Sequence, residues 1–70
     1  MTSPVKAAIL KAVANVKGQS AMARAIGIRP QAVQKWCKTG VVPADRVIDV
    51  EKHSGVHRHD LRPDIYPDAP

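Results

Sequence analysis

Residues 18–36, GQSAMARAIGIRPQAVQKW, contain the spacings that decide the fold. Gly27 separates two short segments with helical periodicity, at a point where a tight turn needs a residue that readily adopts positive φ. Ala23, four residues earlier, supplies the small side chain that two steeply crossing helices need at their closest approach. Val33 and Trp36 have the helical spacing of inward-facing positions in the second segment. The stretch therefore predicts a helix-turn-helix.

Proline and glycine set the predicted bounds of the helices around this motif. The predicted helices are a first from Ser3-Pro4, closed by Lys17 and by Gly18 as its cap; a second from Gln19-Ser20 to Ile26; a third from Pro30 to Lys38, capped by Gly40; and a fourth from Pro43 to about His53, before Gly55. Apolar residues at spacings of three and four predict the faces turned to the core: Val5, Ala8, Ile9, Ala12, Val13, Val16, Met22, Ala23, Ile26, Ile28, Val33, Trp36, Ala44, Val47, Ile48 and Val50.

The C-terminal stretch VHRHDLRPDIYPDAP, residues 56–70, has three prolines after residue 60 and permits one short helical turn near His57–Arg62. We expect His59 or Asp60 to cap this turn and the Arg58, Asp60, Arg62 and Asp64 group to form surface ion pairs. Ile65 and Tyr66 are expected to pack as an extended strap, and residues 67–70 to fray. The prediction is one all-α domain over residues 1–66 with four to five helices, the motif spanning 19–38, and a C-terminal segment that is either helical or extended.

Composition excludes several classes of protein. The chain has 70 residues, which allow one small core, and a single cysteine, Cys37, which cannot form an intrachain disulfide. Apolar residues make up 44%, too many for an acidic or low-complexity disordered chain, and no apolar run approaches the 18 residues of a membrane span. Lys6 and Lys11 interrupt the apolar stretch that a secretory signal would need. We expect a soluble intracellular domain.

The positions of the charges are more informative than the net charge of +5. Residues 1–44 contain seven Lys and Arg residues and no Asp or Glu, whereas residues 45–70 contain four basic and six acidic residues. A compact unit without acids over its first two thirds has a positive field, and polyanions are its natural partners. Nucleic acid is the first expectation, and an anionic membrane surface is the second.

The motif stretch resembles the DNA-binding motif of phage Cro/CI-type repressors. The longer span GQSAMARAIGIRPQAVQKWCKTGVVPADRV (18–47), with HRHDLRPDIYP (57–67), resembles more narrowly the small Cro-like regulators and YdaS-type antitoxins of prophages. The resemblance covers about residues 5–66 and implies a lambda-repressor-like fold. One departure is Pro30, at a position where Cro proteins often carry a polar side chain.

The resemblance implies that the third helix is the recognition helix, which enters the major groove while the second helix crosses the DNA backbone. The expected base-reading residues are Arg29, Gln31, Gln34 and Lys35, because glutamine pairs bidentately with adenine and the cations with guanine. The expected phosphate contacts are Lys17, Gln19 and Lys38, and the structural positions of the motif are Ala23, Gly27, Val33 and Trp36.

Each of these residues also has a simpler interpretation. Gln31 and Gln34 could be ordinary solvated residues of a helix surface, and Lys6 and Lys11 are best interpreted in that way. Trp36 could stack on a base, but its spacing to Val33 favours the core. The His-x-His of residues 57–59 is a poor metal site on a proline-rich scaffold, so we expect no metal and no cofactor. Cys37 is expected to be an ordinary semi-buried thiol.

The functional prediction is a sequence-specific, double-stranded DNA-binding regulator of phage or prophage origin, acting as a homodimer in the cytoplasm of a bacterial host and associated with the nucleoid. The first helix alone would fit a membrane-active peptide, and the charge alone would fit RNA binding. An enzyme is the weakest class, since no nucleophile–base pair or phosphate-binding glycine loop is present. The serious alternative is an antitoxin or protein-interaction module of a prophage toxin–antitoxin pair, with a toxin partner, that also binds its own promoter. Apolar residues without evident partners place the dimer interface on the fourth helix and residues 56–66.

Overall fold

The computed structural model describes residues 4–67, which contain five α-helices and a 3₁₀ turn. The elements are α1 Pro4–Asn15, α2 Gln19–Ile26, α3 Pro30–Thr39, the 3₁₀ turn Ala44–Arg46, α4 Val47–Ser54 and α5 Arg58–Leu61. No strand occurs in this part of the chain, so the prediction of a small all-α fold is confirmed. The predicted cap Ser3 and the tail residues 68–70 lie outside the described residues. None of the helices within 4–67 is long and apolar enough to cross a membrane.

The core lies where α1, α3 and α4 meet around α2, and α5 closes it against α1 and α4. Its buried side chains are Ile9, Ala12, Met22, Ala23, Val33, Trp36, Cys37, Val42, Val47, Val50, Val56 and Leu61. The predicted stripe of α1 is confirmed, because Ile9 and Ala12 are buried and its other members pack partly buried against the core. Within residues 4–67, no polar or charged side chain is buried. The core is therefore held together by apolar packing.

The fourth helix begins later than predicted. Pro43 precedes a 3₁₀ turn, and α-helical geometry begins at Val47. In α4 the buried residues are Val47 and Val50, whereas Ala44 is exposed and Ile48 is 40% exposed, so the prediction that these two contribute to the core is wrong. The physical reason is the helical angle: Ile48 follows Val47 by about 100° and so lies beside the buried face.

The C-terminal segment is a turn rather than an extended strap. The N–H groups of Ile65 and Tyr66 both donate to the Arg62 carbonyl, at 3.2 and 2.9 Å, and this folds residues 62–66 back on themselves. Ile65 is 42% exposed, while Tyr66 packs partly buried against the core. The predicted α5 turn is confirmed, but its cap is His57, whose Nδ1 accepts from the His59 N–H at 3.1 Å.

The end of α1 differs from the prediction in a way that stores strain. Lys17, and not Gly18, has the left-handed conformation of a helix cap, with φ of 72°. The Lys17 N–H donates to Ala14 at 3.0 Å and the Gly18 N–H to Val13 at 2.9 Å, which is the Schellman pattern. A lysine in this position is less favourable than a glycine by about 1 kcal/mol, because of its Cβ.

Replacing Lys17 by glycine is therefore expected to raise the free energy of unfolding by about 0.5–1 kcal/mol. Urea denaturation followed by Trp36 fluorescence measures this change. Lys17→Ala is the matched control, since it removes the same charge and keeps the Cβ. Equal stability of the glycine and alanine variants would contradict the strain argument.

Candidate nucleic-acid interface

The third helix has one buried and one polar face. Arg29 is its N-cap, with extended φ of −83° and ψ of 145°, and Pro30 begins the first turn at a position where a missing N–H is harmless. On the inner side, Val33, Trp36 and Cys37 are buried, with at most 8% of each residue exposed. These three contacts fix the rotation of α3 about its axis, so the residues between them point to solvent.

The exposed side of α3 brings four of the predicted DNA contacts together. Gln31, Gln34, Lys35 and Lys38 are all exposed and line one shallow surface depression. Two amides and two ammonium groups in a row offer donors and acceptors for base edges and positive charge for phosphates. We call this row the α3 polar face.

The second helix holds α3 in place through the positions that sequence analysis assigned to the motif. Ala23 is 1% exposed, and its carbonyl accepts the Ile28 N–H at 2.9 Å as the chain turns. Gly27 has φ of 75°, the left-handed conformation that the tight turn was predicted to require. The predicted helix-turn-helix is thus present, with Val33 fully buried beneath it.

The remaining predicted site residues lie near the ends of the helices. Arg29 is exposed at the N-terminus of α3 but does not line the depression. Gln19 is the first residue of α2 and is half-buried, and Lys17 is exposed in the turn just before it. Lys38, which was assigned to the phosphates, lies on the α3 polar face beside the expected base readers.

The N-termini of α2 and α3 have no side-chain caps. The N-cap residues Gly18 and Arg29 have no side-chain acceptor for the N–H groups of the first turn, and neither first turn contains an acidic residue. The free N–H groups and the positive end of the helix dipole are suited to an anion such as a DNA phosphate.

Two ion pairs lie in the C-terminal third of residues 4–67. Arg58 pairs with Glu51 at 2.9 Å, and Arg62 pairs with Asp64 at 2.8 Å. The hydrogen bonds from Arg58 hold the pKa of Glu51 below its ordinary value, and those from Arg62 do the same for the pKa of Asp64. Acidic side chains therefore neutralise the C-terminal arginines. Lys35 and Lys38 of α3 have no ion-pair partner among residues 4–67.

Sequence analysis did not assign a role to Arg24. It is exposed in the last turn of α2, on the helix expected to cross the DNA backbone. It has no ion-pair partner among residues 4–67. The acid-free run of residues 1–44 was the signal that could have identified it, since that run leaves no carboxylate nearby in sequence.

The histidines of the C-terminal segment make intramolecular contacts. His57 Nδ1 caps α5, and His59 Nδ1 lies 3.0 Å from the Tyr66 carbonyl oxygen. In the described part of the chain, no group of three or more His, Cys, Asp or Glu side chains is arranged to hold a metal ion.

Three comparisons relate the chain to known proteins. The profile of the family described as "Bacterial toxin YdaS" matches residues 9–70. The chain is 46% identical over 59 residues to the Escherichia coli K12 protein described as "Putative transcriptional regulator YdaS", a match that covers 79% of this chain and 59% of that protein. It therefore spans about three fifths of the length of that relative. Its structure is similar to that of "the Cro protein from putative prophage element Xfaso 1 in Xylella fastidiosa strain Ann-1", with a TM-score of 0.83, 36% identity, and coverage of 87% of this chain and 97% of that one.

Proposed function

This chain belongs to the YdaS family, and from that premise we propose that it is a transcriptional regulator, a Cro-like repressor that binds double-stranded DNA sequence-specifically. The descriptions of its relatives support regulation, and the fold shared with a Cro protein supports insertion of α3 into the major groove. Phage or prophage origin follows from the same likeness.

The observation that carries the proposal is the α3 polar face. Four exposed amide and ammonium side chains lie in one row on a helix whose opposite face is fixed in the core. A solvated helix surface has no need for this arrangement, whereas base reading needs donors and acceptors held at a fixed rotation of the helix. The absence of acids from residues 1–44 adds a field that attracts the phosphate backbone.

In this proposal the residues divide into two roles. Gln31, Gln34 and Lys35 read base edges, and Arg29 reaches a base or a phosphate from the start of α3. The phosphate contacts are Lys17, Gln19 and Lys38, and we add Arg24, which lies in the last turn of α2. The uncapped backbone N–H groups at the N-terminus of α2, beside Gln19, also bind phosphate.

One such domain reads only a few base pairs, so the regulator acts as a two-fold dimer on a near-palindrome with half-sites about 34 Å apart. Val56 and Leu61 are buried in the core of the monomer, and Tyr66 packs against it. Residues 56–66 therefore offer less free apolar surface for a dimer than the sequence suggested, since among the large apolar side chains of that stretch it is Ile65 that is exposed.

Selection of bound sequences from a random duplex pool at two salt concentrations tests the proposal. We expect an enriched near-palindrome that persists at the higher salt concentration. Binding without sequence preference that disappears with salt would reject base reading and leave only the electrostatic field.

Replacing Lys38 by alanine is expected to weaken binding to every duplex to a similar degree, because a phosphate contact carries no sequence information. The slope of log affinity against log salt should become shallower by about 1, the value for one neutralised phosphate. Lys11→Ala on α1 is the matched control and should change the slope less. A loss restricted to one operator base would instead make Lys38 a base reader.

The family description "Bacterial toxin YdaS" favours a second candidate, in which the chain belongs to a toxin–antitoxin pair. That description names the toxin, whereas sequence analysis suggested the antitoxin. Induced expression in a bacterial host separates the two roles: growth arrest supports the toxin, and rescue of cells from a co-encoded toxin supports the antitoxin. Neither effect is expected of a regulator that only represses its own operator.

A further inference from the structure

The exposed side of α4 and of the 3₁₀ turn before it carries an apolar residue between two opposite charges. Ile48 is 40% exposed, and Asp45 and Lys52, three residues before it and four after it, are both exposed. Ile48 and Lys52 lie about one turn apart on the same side of α4. Asp45 lies in the 3₁₀ turn that leads into α4, where each residue turns by about 120°, so it precedes Ile48 by roughly one turn on that same side. Neither Asp45 nor Lys52 has an ion-pair partner among residues 4–67. We call these three residues the α4 outer face.

The α4 outer face is complementary to itself. If two copies of α4 pack antiparallel about a two-fold axis near Ile48, the two isoleucines meet at the centre. Asp45 of each copy then lies opposite Lys52 of the other, because an isologous interface makes every contact twice. From this arrangement we infer that the α4 outer face is the dimer interface and that its occupant is a second copy of this chain. The inference rests on the dimer of the proposed function and assigns its contact residues.

The other exposed apolar residues do not have this property. Leu10 is 45% exposed on α1, a helix without an acidic residue, so two copies packed there would have no carboxylate of α1 opposite Lys11. Ile65 lies next to Asp64, which is already paired with Arg62. Val41 is 52% exposed in the loop after α3 and has no charged residue of either sign in that loop, residues 40–43.

The position of the α4 outer face also suits two recognition helices on neighbouring major grooves. Asp45 follows Thr39, the last residue of α3, by six residues, which can span at most about 20 Å. Val41 and Pro43 line a groove together with Trp36, so the connecting loop stays close to α3. A two-fold axis at the α4 outer face therefore lies within about 20 Å of the end of each α3. This allows the two copies of α3 to lie about 34 Å apart, the separation between successive major grooves.

Charge reversal tests the inference in the full chain without DNA. Sedimentation equilibrium up to about 1 mM protein should show that Asp45→Lys and Lys52→Asp each raise the dimer dissociation constant about tenfold, because each reversal disrupts both symmetry-related pairs. The double variant should return to within about threefold of the original value. The inference would be overturned if the double variant failed to restore association. It would also be overturned if the dissociation constant were the same in the original protein, both single variants and the double variant.

Cross-linking extends the test to a weak dimer. In a Cys37→Ala background, Ile48→Cys should give a disulfide-linked dimer under mild oxidation, since residues next to a two-fold axis come close enough for the bond. Leu10→Cys, with similar exposure, is the matched control. Equal cross-linking at the two positions, or none at Ile48→Cys, would count against the interface.

The two proposals fail in different ways. Ile48→Asp should be monomeric and still bind a duplex that carries one selected half-site. Loss of self-association in a protein that shows no half-site preference would support the interface and reject base reading. If Ile48→Asp self-associates like the original protein and still binds the half-site, the interface is rejected and base reading is supported.

Discussion

Replacing Trp36 by alanine is expected to lower the free energy of unfolding by about 3–5 kcal/mol, the usual loss for a large aromatic side chain removed from a core. Trp36 is 5% exposed and lies between Val33 and Cys37 on the buried face of α3. A chain of 70 residues has a total stability of only about 4–10 kcal/mol, so the variant should be partly unfolded at 25 °C. Far-UV circular dichroism during urea denaturation measures the change, because the substitution removes the single tryptophan.

The same experiment decides between the two roles considered for Trp36. Trp36→Phe is the matched control, since it keeps an aromatic ring in the core and should lose much less stability. If Trp36 stacked on bases instead, the alanine variant would fold normally and lose affinity for single strands. A stable alanine variant with that defect would reject the assignment of Trp36 to the core.

The helix bounds were predictable because local chemistry decides them. Pro30 and Gly40 delimit α3 as expected, and Gly55 follows the last residue of α4. Both residue types act through their own backbone conformations, which the rest of the chain changes little. The inner faces of α1, α2 and α3 were predictable as well, since each follows the helical period.

The errors occurred where competing local structures differ little in free energy. A proline before a helix predicts a start, but not whether the first turn is 3₁₀ or α, so the start of α4 was placed four residues too early. The left-handed conformation at the end of α1 was expected at Gly18, because glycine is the preferred residue there, but Lys17 adopts it. His57 caps α5, whereas the sequence analysis expected His59 or Asp60; of these three residues only aspartate is a preferred cap.

For the candidate site, the sequence predicted the types of residue better than their grouping. The helical period predicted that Val33 and Trp36, three residues apart, share the inner face of α3. It therefore predicted that the side chains on the opposite face, Gln31, Gln34, Lys35 and Lys38, point outward. The sequence separated Lys38 from the glutamines by role, and the structure places all four on one face. The proposed division into base readers and phosphate contacts depends on the docked position of the duplex, which helical periodicity does not encode.

Gln34 gives the sharpest test of base reading. Its replacement by alanine is expected to weaken binding to the selected operator by about 1–3 kcal/mol, or roughly 5- to 150-fold, through loss of a bidentate contact to adenine. Binding to unrelated duplexes should change little, because the side chain is uncharged. Since Gln34 is exposed, its loss should change the free energy of unfolding by less than about 0.5 kcal/mol. Fluorescence anisotropy with operator and random duplexes at one salt concentration measures the first two effects.

Removing the N7 acceptor of adenine tests the same contact by a change in the DNA. An operator with 7-deazaadenine at the position read by Gln34 lacks the N7 acceptor of the bidentate pair and should bind the unchanged protein more weakly. The Gln34→Ala variant, which no longer makes the contact, should not distinguish this operator from the normal one. Coupling of the two changes in a double-mutant cycle is expected only if they remove the same hydrogen bond. Additive losses at every adenine of the operator would mean that Gln34 acts elsewhere, and the base-reading role would pass to Gln31 or Lys35 on the same face.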